Sequence, residues 1–163
     1  MTDAHLHMVV NHFPIIGIIF GLGVMLFGIV LKNKSLVKTA FGLFIVAALF
    51  AAGSMATGEG AEEMVENLPS VGDGIIHEHE EIAEKFALLL YLLGTVSVVG
   101  IYLNLKNNSK SKILIYTSLV LAVLGVFLAQ KTGTSGGEIR HTEIRTNNSN
   151  TSSSNNEIDH DEE

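Results

Sequence analysis

Four apolar runs set the pattern of this chain, at about residues 13–31, 36–57, 86–105 and 113–130. Each is close to the roughly 20 residues that a helix needs to cross the hydrocarbon core of a bilayer. The polar stretches between them alternate in kind. The two short links hold Lys32, Lys34, Lys38 and Lys106, Lys110, Lys112, with no acidic residue. The N-terminal head, the central segment and the tail hold all 17 acidic residues and all 7 histidines. Short Lys-rich loops stay cytoplasmic. The pattern therefore predicts an all-α, four-helix transmembrane bundle in up-down-up-down order, set in the cytoplasmic membrane. Both termini and the central segment face outward, which confines polar chemistry to the outer face.

Turn chemistry refines this outline. Pro14 fits the first turn of a helix begun at Phe13, or kinks one begun earlier. The central segment 58–85 reads as two helical extensions broken by Pro69-Ser70-Val71-Gly72-Asp73-Gly74, a strong turn signal. Residues 1–145 make one bundle domain. From about Thr146 to Glu163 the chain is polar, Asn/Ser-rich and acidic at its end, and the composition predicts disorder there. His160 falls in that tail and is assigned no role.

The two halves resemble each other in spacing. His5 precedes Lys32 by 27 residues and His79 precedes Lys106 by 27, and Thr57-Gly58 and Thr132-Gly133 follow the second span of each half. Two parallel repeats about an axis along the membrane normal would place helices one and three on a diagonal.

Composition narrows the chemistry. The chain of 163 residues is 47% hydrophobic, with a mean hydropathy of +0.38. Four spans leave no room for a second domain. Run one lacks the basic start and small-residue exit of a cleavable signal peptide. With no cysteine, disulfides, thiolate metal sites, covalent c-type haem and iron–sulfur clusters are excluded. The net charge of −7 lies outside and is no nucleic-acid footprint. It suits cations or a basic partner protein, or is simply a solvated surface.

Seven histidines and a cluster of Glu single out the outer end. At 1.5 Å per residue, His12 lies about 30 Å above Lys32, and His5 and His79 each lie about 40 Å above their lysines. Glu62, Glu63, Glu138 and His141 reach a similar level above Lys38 and Lys112. On helix three, Ile75, Ile76, His79, Ile82, Ala83 and Phe86 share a stripe. His79 is thus the inward residue and His77 the solvated one. On helix one, His5 and His12 are seven apart and share a face with Met8 between them, and His7 is expected to point away. Glu59, Glu62, Glu63 and Glu66 form one stripe, which is either a solvated amphipathic face or a set of carboxylate ligands. Glu138-Ile139-Arg140-His141 matches the Glu-x-x-His pattern of di-iron bundles, although Gly136-Gly137 argues against a continuous helix there.

His12-Phe13-Pro14 opening the first span, a His opening the third and Gly136-Gly137 followed by Ile139-Arg140-His141 after the fourth resemble the DUF2231-type family of small bacterial four-helix membrane proteins. The likeness covers about residues 5–145. It implies a membrane-embedded protein suspected of binding haem or metal.

Three functions follow as expectations. The first is a b-type haem between helices one and three, with His79 and either His5 or His12 as axial ligands. Small residues such as Gly17, Gly58, Ala83 and Ala87 would make room, and Arg140 would meet a propionate. The protein would then carry electrons at the outer face to a redox partner protein. The second is a non-haem zinc, iron or copper site drawn from His5, His12, His79, His141, Glu62, Glu63 and Glu138, in which Met8 would favour copper. The third is a membrane subunit or scaffold, in which Gly and Ala serve helix packing alone. Whether the chain is an enzyme stays open. Its partners are the lipid bilayer, the redox protein of the first reading and further copies of the chain. A transporter is disfavoured, because no ionisable residue falls near mid-membrane.

Overall fold

A computed structural model describes residues 2–66, 71–141 and 145. The predicted tail disorder and residues Pro69 and Ser70 of the central turn lie outside the described residues. The fold is all-α. Helix α1 spans Asp3–Val10, α2 His12–Val30, α3 Lys34–Val65, α4 Asp73–Leu105 and α5 Ser111–Arg140. With α1 and α2 taken together as Asp3–Val30, four helices are long and apolar enough to cross a membrane. Their lengths are 28, 32, 33 and 29 residues. The shortest already measures about 42 Å at 1.5 Å per residue, beyond a hydrocarbon core of roughly 30 Å. The apolar runs therefore continue into polar helical extensions, as the sequence predicts.

Pro14 accounts for the α1/α2 boundary. It has no N–H for the Val10 carbonyl, so the first helix is interrupted at Asn11 and restarts at His12. Both expectations for Pro14 hold at once, since it sits in the first turn of α2 and breaks a helix begun at Asp3. Asn33 caps α3 by accepting from the amides of Ser35 and Leu36 at 2.9 and 3.3 Å. Each Lys-rich turn contains one residue of positive φ, Lys32 at 51° and Asn107 at 50°. Lys34 Nζ donates to Asn107 Oδ1 at 2.8 Å and joins the two turns.

The core is a heptad core. Ile18, Gly21, Met25 and Gly28 are buried on α2, and Phe86, Leu90, Leu93, Ser97, Gly100 and Asn104 on α4. Such alternating steps of three and four residues keep one seam facing the neighbouring helices. Helix α2 packs on α3 and α5, α4 packs on α3 and α5, and α1 lies against α3. Gly28 meets Val37, Gly21 meets Phe44 and Gly17 meets Ala47. The rings of Phe41 and Phe44 fill the middle and are fully buried. Phe41 packs flat against Gly100, where a Cβ would lie 2.6 Å from the ring. Gly17 thus serves packing against Ala47 rather than space for a porphyrin. The outer surface of the helices carries large apolar side chains such as Phe20, Phe27, Leu49 and Phe127, each about two-thirds exposed. That surface suits lipid better than water.

One local expectation is corrected. Helix α5 runs unbroken through Gly136-Gly137 to Arg140. Two glycines cost helix propensity, but Gly136 lies flat against the His79 ring, which a Cβ would approach to 2.9 Å. Tertiary contact overrides propensity here.

Candidate functional site

The seam of α2 continues outward without a change of phase. Stepping back from Ile18 by four and three residues gives Pro14, Asn11, His7 and Ala4, all buried or half-buried. His7, not His5 or His12, is therefore the inward histidine of the first helix. On α4 the same stepping from Phe86 gives Ala83, His79 and Ile76, so the inward placement of His79 stands. Both rings lie on the helical extensions outside the apolar runs 13–31 and 86–105.

The two imidazoles are held alike. His7 Nδ1 lies 3.0 Å from the Ser54 carbonyl and 3.2 Å from Thr57 Oγ1. A carbonyl only accepts, so Nδ1 carries the proton. The Thr57 hydroxyl faces the carbonyls of Gly53 and Ser54 at 3.0 and 3.1 Å, which turns its oxygen lone pairs toward His7. His79 Nδ1 lies 2.9 Å from Ser135 Oγ. Ser135 donates its hydroxyl to the Thr132 carbonyl at 3.2 Å, so it accepts from His79, and Nδ1 is again the donor. In the neutral rings the lone pair is then on Nε2 in both cases. Among the described residues neither Nε2 has a hydrogen-bond partner.

Electrostatics keep these rings neutral. Burial lowers the pKa of His7 below 6.5, the Ser54 carbonyl opposes this, and His12 adds to the lowering. Burial also lowers His79, and His7 itself is the next cause, with Glu80 opposing. The effect of His7 on His79 puts the two rings within electrostatic reach of each other. A neutral imidazole with Nδ1–H tied down and Nε2 open is the ligating form of histidine. Asn11 shares the face of His7 one turn on, and its Oδ1 is buried with no hydrogen-bond partner among the described residues. Comparisons with protein-family models, curated proteins and solved structures gave no match.

The other sequence candidates lie apart from this pair. His5 is exposed, and its amide bonds the Thr2 cap at 3.4 Å. His12 is exposed, with Nδ1 at 3.3 Å from the Met8 carbonyl, and Met8 is 61% exposed. The inward face expected for His5, Met8 and His12 is thus the outward one. Spacing of seven shows that residues share a face but not which face is packed, and Asn11 and Pro14 carry the packed one. Glu62 is half-buried and Glu63 exposed. Glu138 lends its carbonyl to Arg145 Nε at 2.8 Å. His141 caps α5 through its amide and is exposed. Arg140 ends α5, and its side chain lies outside the described residues. Among the described residues no three His, Asp or Glu side chains come together to hold a metal ion. The expected set of His5, His12, His79, His141, Glu62, Glu63 and Glu138 is not gathered, because its members occupy different faces. The sequence reading missed His7; the signal that finds it is the heptad extended backward from Ile18 once Pro14 and Asn11 are known to be packed.

Proposed function

We propose that this chain crosses the cytoplasmic membrane four times in up-down-up-down order, termini and histidine layer outside. At that outer end it binds b-type haem between His7 and His79 for electron transfer to a redox partner protein. The likeness to the DUF2231-type family is in keeping with this reading. The observation that carries it is the matched tethering of the two rings, each fixed at Nδ1 and open at Nε2. Haem iron brings four nitrogens of its own and takes two axial donors. A pair of histidines suits it, whereas a non-haem site of His and Glu needs three or more ligands to converge. Gly58 and Gly136 stand beside the His7 and His79 rings and leave flat surface next to them. The unpartnered Asn11 Oδ1 marks the same place as one where a polar atom awaits a partner.

Bound haem would supply one-electron redox chemistry. The protein's part is orientation. Thr57 and Ser54 aim His7, Ser135 aims His79, and the half-buried setting favours the neutral form of both rings. The test is the visible spectrum of detergent-purified protein reconstituted with haem, oxidised and then dithionite-reduced, with elemental analysis on the same sample. A Soret band with sharp α and β bands on reduction is expected, retained in His5→Ala and His12→Ala. No Soret band after reconstitution would refute the reading, and absence of bound metal as well would leave a packing subunit.

A further inference from the structure

The outward face of α1, continued into the first residue of α2, carries a second set of donors. His5, Met8 and His12 follow one another by three and four residues. Asn11 between the two helices keeps αR geometry (φ −66°, ψ −21°), so at about 100° per residue the three fall within roughly 60° of arc. All three are exposed. His5 and Met8 are separated by about 4.5 Å of helix rise, and Met8 and His12 by about 6 Å. Each pair is a neighbouring pair on a helix surface, so an ion seated over Met8 lies within reach of both imidazoles.

The donor chemistry selects the ion. The Met8 carbonyl holds His12 at Nδ1, so Nδ1 donates and Nε2 presents its lone pair outward. Met8 offers a polarisable thioether. The nearest carboxylate in sequence, Asp3, lies on the other side of α1. It packs on α3, where a Cβ at Gly60 would sit 2.6 Å from Asp3 Cβ. Two imidazoles and a thioether without an adjoining carboxylate form a soft set, in which the thioether favours monovalent copper over zinc, iron or magnesium. We propose that His5, Met8 and His12 form a Cu(I) site on the outer surface of α1 and the start of α2. This site does not rest on the haem reading, because it uses exposed residues of the first helix and none of the haem residues.

The test is an anaerobic titration of the full-length detergent-purified protein with Cu(I), against bicinchoninate as competing chelator. One Cu(I) per chain is expected. Met8→Leu keeps the size of an exposed side chain and should leave the fold intact. It should weaken Cu(I) binding at least about tenfold, as loss of a direct donor costs no less than loss of an outer-shell partner. His5→Ala and His12→Ala should do the same, and His7→Gln should not. X-ray absorption should detect a sulfur neighbour of copper in the wild type and none in Met8→Leu. Failure of the wild type to compete, or unchanged affinity in Met8→Leu, would overturn the proposal.

Discussion

The two halves of the chain bring a histidine to the same end of the bundle by different backbone routes. His79 rides on α4, 33 residues without a break. His7 rides on α1, 8 residues set off from the span by the interruption at Asn11. Their anchors differ as well. His79 is held by one hydroxyl, Ser135, which is itself held by the Thr132 carbonyl. His7 is held by a backbone carbonyl and a hydroxyl together. A stiff helix needs only a replaceable side-chain anchor, whereas a short helix after a break is secured by backbone that substitution cannot remove. The first half is the less rigid in its helix and the more firmly tied in its ring.

Removing either ring is the strongest challenge to this pairing. His7→Ala and His79→Ala should each abolish the low-spin haem spectrum after reconstitution. A spectrum kept by one of them would show that the halves do not contribute as a pair. Gly136→Leu should approach that effect, because the new Cβ would meet His79 Cε1 at 2.9 Å and push the ring aside. Its counterpart Gly58→Leu should do less, since a Cβ there lies 4.0 Å from His7 Cε1. Haem titrations of the two variants give the order.

The anchors sharpen the contrast. Ser135→Ala removes the hydrogen-bond partner of His79 and should weaken haem binding by about 10- to 100-fold, the usual cost of losing a partner that orients a ligand. Thr57→Val leaves the Ser54 carbonyl in place and should cost only a few-fold. Equal losses would mean that the carbonyl does not hold His7.

Legibility followed the same division. The register of α4 could be read from Ile76, Ala83 and Phe86, because an unbroken heptad carries its phase from the span to His79. In the first helix the inward stripe passes through Asn11 and Pro14, two residues that do not announce a core. His5 and His12, seven apart, therefore look like the packed pair. The all-α fold and four apolar helices were legible because the bilayer-length runs and Lys-rich turns are strong signals. The continuity of α5 through Gly136-Gly137 was not, since it depends on contact with a ring 57 residues away in sequence. The Glu residues illustrate a further limit. Level along the axis can be counted from the lysines, but convergence depends on helix rotation, and among the described residues Glu62, Glu63 and Glu138 join no group of three or more His, Asp or Glu.

The smallest expected effect concerns acid. Burial lowers the pKa of His7 and His79 relative to 6.5. In the unfolded chain both rings take up protons as pH falls through 6.5, and in the folded protein they do so only at lower pH. The unfolded state therefore binds more protons in that window, so stability is complete above 6.5 and is lost as pH falls below it. The thermal midpoint in detergent, followed from about pH 7.5 to about pH 5, should drop. The drop should be less steep in His79→Gln, whose side chain does not titrate, and less steep again in the His7→Gln/His79→Gln double variant. A slope unchanged in both variants would mean that the tethered rings carry no proton linkage, and the two halves would then differ in nothing that acid can reach.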